Sequence, residues 1–462
     1  MNFQTNHEKL NKELQDIIRI FGSEFENTQI IHTFKQGENV LYNTFVVDSE
    51  TFNFQFEYQP QDKLEDMRNF KRSSKIALFS LLSKRSNQKT VWGALTGIRP
   101  VKLYKNYIEK GENASEIFQN QYFVEKEKVQ LIKQIYDIQK PLYSKNDNDI
   151  NLYVGIPFCA SRCYYCSFIS ENINRVSPLV VQSYIDALCE DIRWAHRTIK
   201  ERGFNLRSVY IGGGTPSSIS EKQMAQMFEA IGHFGGEYTF EGGRPDTLSE
   251  SKIALARQFS NRISVNPQTA SDETLKRIGR SHTYADFVKM FEIAKKYNFA
   301  INSDLICGLE GENFADFENT LEKIIKLDPQ NITIHTLCLK SGSKYHEKDI
   351  LKHGEDVSKM VAHGYAEMAK SGYNPYYLYR QKYTLDNLEN CGFAKPTFES
   401  IYNIDIMEEN MPILSCGAGS VSKTYTKPED RLERIPLPKD VRTYLEKSQT
   451  ICEKRHKMFL EN

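Results

Sequence analysis

Charge of one sign is missing from this chain: 60 basic residues balance 60 acidic ones among 462, leaving a formal net charge of zero. Nothing at whole-chain level therefore points to nucleic acid, although a local basic patch stays possible. Long apolar runs are missing too, and no stretch is apolar for long enough to span a bilayer. The first residues, MNFQTNHEKLNKELQ, lack the apolar core of a signal peptide. The expectation is a cytoplasmic protein with no nucleic-acid partner and no membrane span. Close cysteine pairs are absent from most of the chain: Cys189, Cys307, Cys338, Cys391, Cys416 and Cys452 are scattered. That dispersal argues against a second metal cluster, and most of the six read as small buried hydrophobes. Hydrophobic residues at 40% and charged residues at 26% describe a globular chain, long enough for two or three domains.

What is present divides in three. Up to residue 147, an accessory α+β domain is expected. Leu10, Leu14, Ile17, Ile18 and Phe21 form one helix face, and Val40–Val47 and Phe52–Tyr58 alternate around Asp48-Ser49-Glu50 as a hairpin would. Ile76, Phe79 and Leu82–Lys84 continue a helix, and the basic run KRSSK (71–75) reads as a solvated helix start or an anion contact. Ser144–Asp149 is polar and reads as a linker. From 148 to 345, strand-like runs at Leu152–Ile156, Ser208–Ile211, Tyr238–Glu241, Arg262–Val265, Ala300–Asp304 and Asn331–Leu337 alternate with helical stripes. Such alternation specifies parallel strands with helical crossovers. About six units are too few for a closed eight-fold barrel, so the expected fold is α/β, an open, partial parallel β/α barrel. Residues 346–462, with the Tyr-rich NPYYLYRQKY, are expected to form a mostly helical cap or substrate domain.

Three of the nine cysteines stand apart from the rest. LYVGIPFCASRCYYCSF spaces Cys159, Cys163 and Cys166 as C-x3-C-x2-C, directly after the first barrel strand. Active sites of parallel α/β barrels lie at the C-terminal ends of their strands. Three thiolates can grip three corners of a four-iron, four-sulfur (4Fe-4S) cluster and leave one iron open to a ligand. Structural zinc wants four protein ligands, usually as two close pairs, and no histidine sits near this loop. Three unrelated buried cysteines are the remaining alternative.

The triplet resembles the signature of the radical SAM superfamily. That resemblance implies S-adenosylmethionine (SAM) bound at the open iron and cleaved by an electron from the cluster to a 5′-deoxyadenosyl radical. The IPFC and CYYC phrases, GGGTP, RISVNPQ and DLICGL look like the oxygen-independent coproporphyrinogen oxidase branch. FEGGRPDT, NPQTASDETLKRIGRSHT, YLYRQK, GFAKP and WGALTGIRP look most like its HemZ-type subgroup, the coproporphyrinogen dehydrogenases. The branch likeness covers roughly residues 150–425, and the subgroup likeness adds the N-terminal unit.

Carried over residue by residue, the resemblance implies that Gly213, Gly214 and Thr215 contact the methionine part of SAM. Glu241 would take ribose hydroxyls or the methionyl ammonium, and Gln268, Arg280 and Asp304 are further contacts. Each alone is explicable as a surface cap or ion pair. As a set, they stand at or just beyond the ends of expected strands. Tyr153, Tyr165 and Cys338 match weaker contacts, with core packing as the alternative. Two departures stand near the triplet. Gly155 replaces the usual histidine, and Ser167-Phe168 replaces a fourth cysteine.

The implied substrate is a tetrapyrrole, coproporphyrinogen III, whose propionates become vinyl groups. An electron donor for the cluster and an unidentified electron acceptor are implied as partners. Arg380, Lys382, Lys395, Arg431 and Arg434 are candidate partners for the substrate's carboxylates. Haem trafficking is the competing function, because haem-chaperone relatives carry an HNxxYW segment that supplies an iron ligand. Here the matching place reads Tyr402-Asn403-Ile404-Asp405-Ile406-Met407, without that histidine. Radical-driven haem opening is a third reading.

Overall fold

The six strand-like runs become six adjacent parallel strands. The computed structural model describes residues 2–86, 88, 90–97, 99–168, 170–340, 343–344, 356–426 and 431–461. The expected boundary at 345/346 and the side chain of Arg431 lie outside the described residues.

Two compact units divide the chain, residues 1–133 and 134–462, with the division inside the helix Lys126–Gln139. The first holds a four-stranded sheet in the order β1 (Asn2–Thr5), β2 (Gln29–Gln36), β3 (Val40–Val47), β4 (Glu50–Glu57). β3 and β4 make the expected hairpin, and Asp48 and Ser49 take the positive φ values its tight turn requires. The helix Glu8–Ile20 buries the stripe Leu10, Leu14, Ile17 and Ile18 completely. KRSSK lies inside the helix Lys63–Ser83 rather than at its start. Its cations are used within the unit: Lys71 pairs with Glu13 at 3.0 Å, and Arg72 donates to the Tyr107 hydroxyl at 2.8 Å.

In the second unit, β5 (Asp149–Ile156) leads into a two-stranded pair, β6 (Phe158–Cys159) with β7 (Glu171–Asn172), that braces the cysteine loop. Then follow β8 (Asn205–Gly213), β9 (Glu237–Gly243), β10 (Arg262–Val265), β11 (Ala300–Cys307) and β12 (Asn331–Thr336). β5, β8, β9, β10, β11 and β12 are neighbours in that order and parallel throughout. Their crossover helices start at strong local signals. Ser220 with Gln223, Thr283 with Asp286 and Asn313 with Asp316 each form a capping box. Each helix buries its apolar stripe against the sheet, as Met224, Met227, Phe228 and Ile231 do on one of them.

C-terminal residues supply helices at Val357–Lys370, Ile401–Glu408 and Val441–Glu461, and five strands besides. NPYYLYR is β13 (Asn374–Arg380), antiparallel to β14 (Glu389–Ala394), which extends the sheet beyond β12. At the other edge β15 (Ile413–Cys416) adds a parallel strand to β5, followed by β16 (Val421–Thr426) and β17 (Arg431–Pro436). The eleven strands run from β13 to β17 without these two pairing, so the barrel stays open.

Candidate functional site

A cavity of about 230 Å³ opens at the C-terminal ends of the parallel strands. Its wall takes in the whole cysteine triplet, Tyr165, Gly213, Gly214, Thr215, Glu241, Gln268, Arg280, Asp304 and Cys338. Twelve residues singled out from the sequence thus meet in one place, although Cys159 and Cys338 are far apart in the chain. Tyr153 does not line it. Its ring lies near-parallel beside the stacked pair Tyr210 and Tyr402, with centroids 6.2 and 6.3 Å away.

The loop carrying the triplet is pinned from several sides. Glu171 donates its backbone N–H to the Pro157 carbonyl at 2.8 Å, and Tyr164 donates to the Ile278 carbonyl at 3.0 Å. Thr215 donates its N–H to the Phe158 carbonyl at 2.7 Å and its hydroxyl to the Cys159 Sγ at 3.3 Å. Gly214 is required by close approach: a Cβ there would stand 2.5 Å from the Phe158 carbonyl oxygen and 3.0 Å from the Cys159 Sγ. The GGGTP turn therefore supports the cysteine loop as well as lining the cavity.

Two acids face the cavity with opposite protonation. Burial, and then the charge of Asp304, pushes the Glu241 carboxyl up to about 8. Burial also opposes ionisation of Asp304, but hydrogen bonding and charge from His335, helped by Asn302, keep it below its usual range. The His335 Nε2 lies 3.8 Å from the Asp304 Oδ1, and Nδ1 lies 3.2 Å from the Tyr379 hydroxyl. Near neutral pH the pair is split into a proton-bearing Glu241 and an ionised Asp304.

Gln268 is held in a left-handed conformation, φ 68°, by a bridge to β11: its N–H donates to the Asp304 carbonyl at 3.0 Å, and its carbonyl accepts from Ile306 at 3.1 Å. Its buried Oε1 has no hydrogen-bond partner within the protein. Arg280 is 5% exposed; it donates to the Asn266 carbonyl at 2.8 Å and the Tyr165 hydroxyl at 3.2 Å, while its Nε is left without a partner. Buried polar atoms in that state are costly, and both residues line the cavity, so they fit a polar ligand that completes their bonding.

The triplet suits a polynuclear group. All three thiols line the same cavity, and a cubane presents separate corners to separate thiolates. Burial pushes the Cys166 thiol up to about 11, so without a metal it holds its proton, and coordination would displace that proton.

Sequence reasoning missed Arg244, Asn266, His335 and Lys340, all of which line the cavity. The periodicity signal for three of them existed, since Arg244, Asn266 and His335 stand at strand ends like the residues that were found. None of Arg380, Lys382, Lys395 and Arg434 lines it. Arg380 is buried against Asn387, Lys395 pairs with Asp328 and Arg434 with Glu409.

Comparison with known proteins places this geometry among relatives. Residues 153–324 match the family model described as the radical SAM superfamily. The chain is 35% identical over 411 residues to the "oxygen-independent coproporphyrinogen-III oxidase-like protein HemZ" of Bacillus subtilis, covering 85% of this chain and 82% of that one. It is 28% identical over 290 residues to the haem chaperone HemW of the same organism, covering 58% of this chain and 69% of that one. Among solved structures, coproporphyrinogen III oxidase (HemN) from Escherichia coli shares the fold with a TM-score of 0.52 at 19% identity, over 68% of this chain and 72% of that one.

Proposed function

This chain belongs to the radical SAM superfamily, in the family of the coproporphyrinogen-III oxidase-like protein HemZ, and from that premise we propose that it oxidatively decarboxylates coproporphyrinogen III. It is a radical SAM enzyme, and its cofactors are a 4Fe-4S cluster and SAM. Cys159, Cys163 and Cys166 would hold the cluster. Gly213, Gly214, Thr215, Gln268, Arg280, Glu241 and Asp304 would hold SAM beside it. Bound together, these two cofactors supply a carbon radical strong enough to remove an unactivated hydrogen atom.

The reaction suits that chemistry because a propionate β-carbon has no acidic proton for a base to take. Each of the two propionates loses one hydrogen atom from its β-carbon, then carbon dioxide and one electron. A vinyl group remains, and the electron passes to a one-electron acceptor. Lys340 lines the cavity and would meet a substrate carboxylate.

The observation that carries this reading over haem trafficking is the position of Tyr402. It stands where the haem-chaperone relatives have their iron-ligating segment, but its ring is 6% exposed and stacked 4.4 Å from that of Tyr210. A side chain locked in the barrel in that way is not available to haem iron.

The test uses anaerobically reconstituted protein, reduced with dithionite and supplied with SAM. With coproporphyrinogen III it should release carbon dioxide and 5′-deoxyadenosine. Consumption of haem with coproporphyrinogen left intact would replace this reaction with haem opening. Tight haem binding without turnover of either compound would establish trafficking instead.

A further inference from the structure

Arg244 sits beside the cysteine triplet and has no part in the SAM contacts described above. It follows β9, in the phrase EGGRPDT, and is 4% exposed. Its guanidinium is bound on every side. Nη1 donates to the Ser161 Oγ at 2.8 Å, to the Ser161 carbonyl at 3.1 Å and to the Cys163 Sγ at 3.5 Å. Nε and Nη2 grip Asp246 in a two-pronged pair at 3.0 and 2.7 Å. His282 stands behind Asp246, with its Nδ1 3.8 Å from the same carboxylate. A permanent cation thus touches one sulfur of the triplet, and a carboxylate stands directly behind it.

We propose that Arg244 and Asp246 are a charge pair that sets the reduction potential of the cluster through Cys163. This rests on the cluster being held by Cys159, Cys163 and Cys166. Reduction adds one electron, and so one negative charge, to the cluster. A guanidinium bonded to a ligand sulfur stabilises the reduced form more than the oxidised form and raises the potential. Asp246 stands farther from the sulfur and offsets part of that charge, so it lowers the potential. Burial makes both effects stronger than they would be in water.

The arrangement also distinguishes Arg244 from Arg280. Arg280 donates to the same sulfur only at 4.0 Å, and its shorter bonds go to Asn266 and Tyr165. It keeps an unpartnered Nε, whereas Arg244 is fully engaged with the loop and with Asp246. The first is disposed to receive a ligand, the second to act on the cluster.

Reconstituted wild type, Arg244→Gln, Arg244→Lys and Asp246→Asn proteins would be titrated with dithionite without SAM, following the reduced cluster by electron paramagnetic resonance. Arg244→Gln should be about ten-fold less reduced at a fixed potential, a shift of about 59 mV downward for one electron. Asp246→Asn should shift upward, and Arg244→Lys should lie closer to wild type than Arg244→Gln does. A merely structural pair would give shifts of one sign, or none, and either result overturns the proposal. If Arg244→Gln fails to take up iron, the sign for Asp246→Asn decides alone. Wild type that binds no iron would instead sink the assignment of the cluster to these cysteines.

Discussion

Glu241 illustrates how much of a residue's behaviour comes from its surroundings. A glutamate ordinarily titrates near 4.5, but this one is pushed up to about 8, by burial first and by Asp304 second. Between those two values the unfolded chain has released its proton and the folded chain still holds it. The folded state therefore binds more protons, and its stability falls as pH rises from about 4.5 to about 8, levelling beyond. The slope for one such group is about 1.4 kcal/mol per pH unit. Glu241→Gln cannot ionise and should lose that contribution. Urea denaturation of the cofactor-free proteins across this window would check it, and parallel pH profiles for the two would refute it. The residue type and its place at a strand end were legible in the sequence. Its protonation was not, because Asp304 comes from a strand 63 residues further on.

At the scale of elements, one buried ion pair ties the last helix to the barrel. Arg455, on Val441–Glu461, and Asp191, on Pro178–Arg202, are 0% and 1% exposed and meet at 2.5 Å. Arg455 also donates to the Ser415 carbonyl of β15 at 2.6 Å, and Asp191 accepts from the Tyr444 hydroxyl at 2.7 Å and the Gly417 N–H at 2.9 Å. Removing one partner leaves the other charge stranded in the core, a loss of about 3–5 kcal/mol. Arg455→Met should destabilise the protein by that order in chemical denaturation. The double variant with Asp191→Asn should recover part of the loss, since the stranded charge is then gone. No recovery would mean that packing, and not charge, dominates at this position. The crossover helices themselves were readable from their stripes, but this pair was not, because nothing local joins residues 191 and 455.

Considered as a whole molecule, the chain divides nearer residue 133 than the polar stretch 144–149 suggested. Residues after the division belong with the barrel unit. Gln139 donates to the Tyr376 carbonyl at 2.9 Å, Arg207 donates to the Leu142 carbonyl at 2.5 Å, and Ile138, Leu142 and Tyr143 pack against Tyr376, Tyr377 and Ile404. A chain beginning at Lys126 keeps all of these contacts and should fold and take up about four irons, the content of one cubane. A chain beginning at Asn148 loses them and should melt at lower temperature or aggregate. Thermal melting with iron analysis of both would decide, and equal stability would show that residues 134–147 contribute nothing to the barrel.

The sequence by itself determined what depends on near neighbours: the C-x3-C-x2-C loop, the glycines beside it, the capping signals, and six strands separated by apolar stripes. Strand–helix alternation then left parallel neighbours in chain order as the arrangement that buries every stripe. Tertiary structure alone decided what depends on distant segments. It made strands β13 to β17 out of a region that carries no clear period, and joined them to the parallel strands through β14 on β12 and through β15 on β5, the latter across 262 residues. It held Gln268 strained with an unpartnered acceptor, and it brought Arg244 against Cys163 across 81 residues. A charge acts through distance in space, and distance in space is set only when the sheet has assembled.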